Sequence, residues 1–278
     1  MDQGKRSVRG VLIVENKFGK VSRLCLTASK KGGKTILSEL SFTAPFKVMH
    51  PFYDRKNKMS VMLLTASAGI MAGDRQEFEI RLEEGSDMAF VSQAYDKIHR
   101  MEQGYASRSA SLYVGKNARL EYTPLPTIPF AGSDYRSELN VHLEDATSQF
   151  VFTEVLTCGR IAHGEKFGYR KYRNDIRIRQ GEKLLYRDHT CYEPGQMDME
   201  GFGMYEGYTH LGTLLFINIP KEERWIEAAR QRIDDTPDME GGVTRTAGGH
   251  PVVRILGRNA DRLVKLLNML KDETEQMP

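Results

Sequence analysis

The sequence predicts an all-β protein, an elongated β-helix-like body of many short stacked strands with two short helices at its C-terminus. Three observations carry that expectation. Apolar residues alternate with period two through most of residues 10–219, the alternating units recur at a loose spacing, and helical periodicity appears only beyond residue 219. The alternation is plain where Phe78, Ile80 and Leu82 interleave with Glu77, Glu79 and Arg81. The same grammar fills 78–91, 111–122, 139–152 and 175–186, each unit two alternating runs around a polar turn. The turns fall at Gly85, Gly115, Asp145 and Gly181, 30, 30 and 36 residues apart, a repeat of the size stacked-strand architectures use. A sandwich of evenly spaced hairpins gives the same spacing, so the interval alone does not separate the two. The earlier segment VLIVENKFGKVSRLCL (11–26) predicts one more hairpin.

After Pro220, KEERWIEAARQRI places Trp225, Ile226, Ala229 and Ile233 on one face and predicts a short helix with acids in its first turn. A second helix follows Asn259, a natural N-cap, with Leu263, Leu266, Leu267 and Leu270 in one stripe. Between them GGVTRTAGGH (241–250) reads as a glycine-rich loop, without the lysine of a phosphate-binding loop. The β body (10–219) and the C-terminal part (220–278) together predict one domain over 1–278.

Composition narrows the function classes. The 278 residues carry 40 Lys+Arg against 37 Asp+Glu, a formal +3 with no basic stripe, which speaks against nucleic-acid binding. Cys25, Cys158 and Cys191 are odd in number, widely spaced and without a C-x-x-C pair, which fits a reducing cytoplasm and neither a disulfide framework nor a zinc ribbon. The opening MDQGKRSVRG has no apolar stretch behind its charges, so no cleaved secretory signal is expected. The apolar run Leu214–Ile219 falls far short of the roughly 20 residues of a membrane span.

Two segments concentrate residues with chemistry. LLTASAGIMAGDRQEFEI (63–80) sets small residues before Asp74, which suits either a tight turn whose acid bonds its own backbone or a narrow pocket with one carboxylate at its mouth. EVLTCGRIAHGEKFGY (154–169) gathers Glu154, Cys158, His163 and Glu165, all of metal-ligand type, around Gly159 and Gly164. His163 and Glu165, two apart, would share one face of an extended strand, a geometry that His189 and Cys191 repeat. The spacing matches no closed tetrahedral site, so weak, transient contact is the most it supports. No G-x-S-x-G elbow or triad signature is present. Arg173, Arg177 and Arg179 read as a solvated or partner-facing strand face, and the tyrosines between 169 and 208 as an interface rim or strand packing.

Several of these segments, in order, resemble the urease accessory protein UreD family, also called UreH. Residues 63–80 resemble its small-residue segment ending in Gly-Gly-Asp. SQAYDKIHRME (92–102) resembles its Thr-x-x-x-x-Lys-x-Tyr-Arg strand, with His99 in place of Tyr, and EYTPLPTIPFAGSDY (121–135) its Leu-Pro-x-x-x-Ile-x-Phe segment. The order E-x-L-x-x-G-R-x-A-x-G-E-x-F from Glu154 to Phe167 is the most specific match, and residues 250–270 resemble the closing strand and helix. The resemblance implies a non-enzymatic maturation chaperone that joins UreF and the GTPase UreG and docks on apo-urease, so that nickel reaches the buried urease site. It further implies a transient Ni²⁺ route with no tightly bound cofactor, onto which Asp74 and Glu165 are carried as lining or gating carboxylates, with Cys158 and His163 as lesser candidates. The competing reading is a β-helix carbohydrate lyase or hydrolase with Asp74 and Glu165 as catalysts.

Overall fold

The computed structural model describes residues 11–14, 21–54, 57–219, 221 and 223–273. The polar opening segment, residues 15–20 of the expected hairpin and Pro220 lie outside them. Ahead of the repeat come β1 (Val11–Val14), β2 (Ser22–Lys31), β3 (Lys34–Thr43), β4 (Phe46–Val48), β5 (Phe52–Tyr53) and β6 (Met59–Thr65). Through the repeat run β7 (Arg75–Leu82), β8 (Asp87–Gln93), β9 (Asp96–Ile98), β10 (Ala106–Val114), β11 (Arg119–Thr123), β12 (Thr127–Pro129), β13 (Asp134–Leu143), β14 (Gln149–Thr157), β15 (Lys171–Gln180) and β16 (Lys183–Tyr192). The chain closes with β17 (His210–Ile217), α1 (Glu223–Asp234), β18 (Met239–Arg245), β19 (Pro251–Gly257) and α2 (Ala260–Asp272).

The repeat alternates between two sheets. β7, β10, β13 and β15 lie side by side and parallel in one, while β6, β8, β11 and β14 do so in the other. The turns at Gly85, Gly115 and Asp145 therefore carry the chain from one sheet to the other and stack on each other, as in the bond from Gly85 N to Lys116 O at 2.9 Å. This is the β-helix-like arrangement that the spacing permitted. Gly181 differs, because it joins β15 to β16 as an antiparallel hairpin and ends the parallel run.

Parallel stacking converts each period-two pattern into ladders of like residues. Ile80, Leu112, Val141 and Ile178 face inward as one rung of the first sheet, and Phe90, Tyr122 and Phe152 as one rung of the second, with ring centroids 5.3 and 6.3 Å apart. These rungs form the main core between the sheets, since repeated burial of like apolar side chains is what a stacked coil offers. On the outer face of the second sheet, Val151, Leu214, Phe216, Val253 and Ile255 pack against Trp225, Ile226, Ala229 and Ile233 of α1 and the four leucines of α2. Asn259 caps α2 by accepting from Arg262 N at 3.0 Å, as its residue type predicts.

Two local expectations are corrected. Residues 11–26 do not form a hairpin: β1 runs parallel to β3, and β2 instead turns at Gly32 and Gly33 into β3. Only the second half of the glycine-rich stretch 241–250 is a turn: residues 241–245 belong to a strand, β18, paired with β19. Glycine suits β18 because a Cβ at Gly241 would lie 2.2 Å from Arg254 O, so backbone crowding rather than loop mobility explains it.

Candidate functional site

The strands give the body two unlike ends. One carries the tight turns of the repeat. At the other the chain makes longer excursions, through 66–74, 94–105, 124–133, 158–170 and 193–209. These loops stack as the strands do: Ile98 pairs with Ile70, β9 pairs with β12, and Phe130 N donates to Ile98 O at 2.9 Å. Beneath them Ile70, Ile98, Tyr135, Cys158, Tyr169, Tyr172 and Tyr205 form an apolar plug. Tyr169, Tyr172 and Tyr205 are thus strand and loop packing, not an interface rim.

Between this plug and the main core the alternation breaks. The inward rung after Phe78, Ala110, Leu139 and Ile176 consists of Gln76, Arg108, Ser137 and Asn174. From the second sheet Glu154, Thr213 and Arg254, aligned on neighbouring strands, stand at the matching depth. A polar layer thus crosses the stack from strand to strand. Arg108 is held by Asp96 through two bonds of 2.5 and 3.0 Å, and its Nε donates to Gln76 at 2.9 Å. Burial disfavours the Arg108 cation, but the Asp96 carboxylate outweighs that and holds its pKa above the ordinary value.

Glu154 accepts from Asn174 Nδ2 at 2.9 and 3.0 Å and from Tyr172 Oη at 3.3 Å. Burial, reinforced by the charge of Asp188, pushes its carboxyl up to about 7 against the bonds from Tyr172 and Asn174. On the far side Arg254 reaches Asp188 and Tyr186. Asp96, Arg108, Tyr122, Tyr135, Glu154 and Tyr172 line a cavity of about 40 Å³, room for a few waters. A second cavity, about 50 Å³, lies between 65–70 and 93–97 and shares Asp96 with the first. A third opens beside Arg254, with Glu206 and Glu240 in its wall.

The structure does not bring the four candidate ligands of 154–169 together. Glu154 enters the polar layer. Cys158 is buried in the plug, and that burial pushes its thiol up to about 11. His163 is exposed on a short 3-10 turn, Ile161–His163. Glu165 is bound by Arg160, accepts from Ala131 N at 3.1 Å, and is held below the ordinary carboxylate range first by the Arg160 bond. Arg160 lies over the Phe130 ring at 4.1 Å, Phe130 meets His99 edge-on at 4.9 Å, and His99 Nε2 sits 3.1 Å from Ala68 O. Glu165 therefore braces, through this series of contacts, the small-residue segment that walls the second cavity.

Asp74 adopts the turn geometry, accepting from Met71 N at 2.8 Å while its own N–H donates to Met71 O at 3.1 Å. Small residues do permit close approach here, since a Cβ at Gly69 would lie 2.5 Å from Lys97 O. The carboxylate lining the small-residue cavity is Asp96. His189 and Cys191 lie on β16, Cys191 with its thiol 3.8 Å from Glu193. Among the described residues no three His, Cys, Asp or Glu side chains converge to hold a metal. Asp96 carries no local signal in the sequence, whereas Arg108 reads there as an arginine able to bind an anion and in the fold holds the Asp96 carboxylate; Gln76, Arg108, Ser137 and Asn174 each occupy an inward position of an alternating strand where the register calls for an apolar residue, a signal visible once the strands are aligned.

Fold and site together define a stacked-strand β protein with a buried polar layer and an elaborated loop end. The chain belongs to the UreD family: residues 20–276 match the family model described as UreD urease accessory protein. It is 36% identical over 260 residues, 93% of this chain and 99% of the relative, to the "Urease accessory protein UreD" of Acetivibrio thermocellus. It is also 32% identical over 262 residues, 94% of this chain and 97% of the relative, to the "Urease accessory protein UreH" of Helicobacter pylori strain P12. These relatives are named as accessory proteins, not as enzymes. No helix among the described residues is long and apolar enough to cross a membrane.

Proposed function

We propose that this urease accessory protein acts as a maturation chaperone, assembling UreF-type and UreG-type partners on apo-urease, and that Ni²⁺ passes along its buried polar layer on the way to the urease site. The observation that carries this reading is Glu154, a carboxylate between the two sheets that is held by neutral donors and faces a cavity. Asp96 and Asp188 each neutralise an arginine, so neither adds net negative charge to the layer. Among the described residues Glu154 forms no ion pair with an arginine or lysine, Arg254 acting on it only through its longer-range charge, and a carboxyl that titrates near pH 7 can exchange its proton for a cation at little cost. Isolated carboxylates and waters hold a dication weakly enough to release it, as a carrier must.

In this account Asp74 and Glu165 shape and gate the entrance at the loop end. Asp74 fixes the turn before β7, and Glu165 acts through Arg160, Phe130 and His99. The test is nickel per urease site after co-expression with Glu154→Gln, read beside a pull-down of the accessory complex. Loss of nickel with the complex intact supports the conduit; normal nickel argues for a scaffold without a metal path.

A further inference from the structure

Arg254 closes the polar layer on its open side. β16 is the last strand of the first sheet, and β18 and β19 end the second, so side chains rather than backbone bridge the gap between the sheets there. Arg254 of β19 and Asp188 of β16 make that bridge, with Tyr186 Oη 3.4 Å from the guanidinium. The two partners are unequally held: the Asp188 side chain is 18% exposed and that of Arg254 is 51% exposed. Asp188 also accepts from Thr190 Oγ1 at 3.2 Å and from Tyr186 Oη at 3.3 Å, so it keeps two hydroxyl donors when the arginine leaves. Glu154, Thr213 and Arg254 are aligned on three neighbouring strands, which sets the backbones of Glu154 and Arg254 about 10 Å apart. Asp188 stands near enough for its charge to act on the Glu154 carboxyl.

The arginine has a second place to go. Directly across from it on β18 is Gly242, and nothing lies within 4 Å of where a Cβ there would be. Glu240, two residues along the same face of β18, is a diagonal neighbour of Arg254, about 7 Å away and within reach of a long side chain. Arg254 and Glu240 both line the third cavity, of about 350 Å³. Glu206 in the same wall already accepts from Gly203 N at 2.7 Å, which leaves Glu240 as the acceptor. Moving the guanidinium from Asp188 to Glu240 exchanges one ion pair for another across a glycine. It also leaves Asp188 and Glu154 as two carboxylates without a cation, an arrangement that repels itself and that a dication relieves.

Resting on the nickel-route reading above, we propose that Arg254 is a gate: a dication arriving at Glu154 displaces its guanidinium from Asp188 to Glu240, so that Glu154 and Asp188 hold the metal together and the layer opens sideways between β16 and β19. The test is calorimetric titration of Ni²⁺ alone into the untagged full-length chain and its variants at one pH. Arg254→Met should bind about tenfold more tightly than the parent, because the competing cation is gone, and adding Asp188→Asn should abolish the gain. Glu240→Gln, a change at an exposed side chain, should bind several-fold more weakly, since the displaced guanidinium loses its acceptor, and should have no effect once Arg254 is replaced by Met. Equal affinity of the parent and Arg254→Met, a gain that survives Asp188→Asn, or equal affinity of the parent and Glu240→Gln overturns the gate; if Glu154→Gln still weakens binding, the route reading stands. A Glu154→Gln chain that binds Ni²⁺ as the parent does sinks both.

Discussion

Asp96 grips Arg108 through both carboxylate oxygens, at 2.5 and 3.0 Å, one rung away from Phe78, Ala110, Leu139 and Ile176. Buried ion pairs are poor sources of stability, since apolar replacements of similar volume are often neutral or better, whereas removing one partner strands a charge. Asp96→Asn should therefore destabilise the protein by about 3–5 kcal/mol, and the pair Asp96→Leu with Arg108→Met by much less. Denaturant titrations of the single and double variants measure this; equal losses would mean that the pair is a structural keystone.

Glu154 makes stability depend on pH. Its carboxyl sits near 7 in the fold against about 4.5 unfolded, so the fold favours the protonated form. That contribution is fully present below about pH 4.5 and is lost as pH rises through 7. Glu154→Gln removes the titration, so the variant should gain on the parent by roughly 2–3 kcal/mol between pH 5 and pH 8. Melting curves at the two pH values check it, and parallel behaviour of the two proteins would contradict it.

Glu121 behaves in the opposite sense. Burial would raise its carboxyl, but Lys271, Lys58 and Arg119 outweigh that and hold it at about 2. Lys271 belongs to α2, at 3.1 Å, and Lys58 precedes β6, at 2.9 Å, so one carboxylate ties the last helix to the second sheet. The stabilisation is present above about pH 4.5 and is lost as pH falls through 2. Glu121→Gln should cost about 3 kcal/mol at neutral pH and loosen α2 first, visible as faster amide exchange over 260–272 than over β10.

Gly159 is required by geometry. At φ +139° a Cβ would lie 2.9 Å from Glu165 O, the backbone of the loop that Arg160 and Glu165 brace. Gly159→Ala should cost about 1–3 kcal/mol and expose 160–166 to proteolysis before global unfolding. Unchanged cleavage would show that the loop tolerates the shift.

Much of the architecture was legible in the sequence because the body is periodic twice over: along each strand in steps of two, and from coil to coil in steps of about thirty residues. Both helices were legible from their leucine and tryptophan faces and from Asn259. The pairing partners were less so. Nothing local in VLIVENKFGKVSRLCL distinguishes a hairpin from a strand laid parallel to β3, and Gly241 reads as part of a loop because the approach of the Arg254 backbone is a long-range fact. The site was half legible. Glu154 stood inside the most specific motif, yet its neighbours Asn174 and Tyr172 lie about twenty residues away and meet it only across the two sheets. Asp74 and Glu165 drew attention as charged residues beside glycines, and in the fold their oxygens face backbone N–H groups and Arg160.

Nickel content measures most directly whether nickel passes Glu154. Urease is co-expressed with its accessory proteins and either the parent chain or Glu154→Gln, Asp74→Asn or Glu165→Gln, and metal per active site is determined together with recovery of the accessory complex. Complex recovery should stay normal while nickel falls several-fold for Glu154→Gln and less for the two entrance variants. Loading by the parent chain should rise with pH through about 7, as the Glu154 carboxyl ionises, and loading with Glu154→Gln should not. Full nickel occupancy with Glu154→Gln, at every pH and with the complex intact, would contradict passage at Glu154.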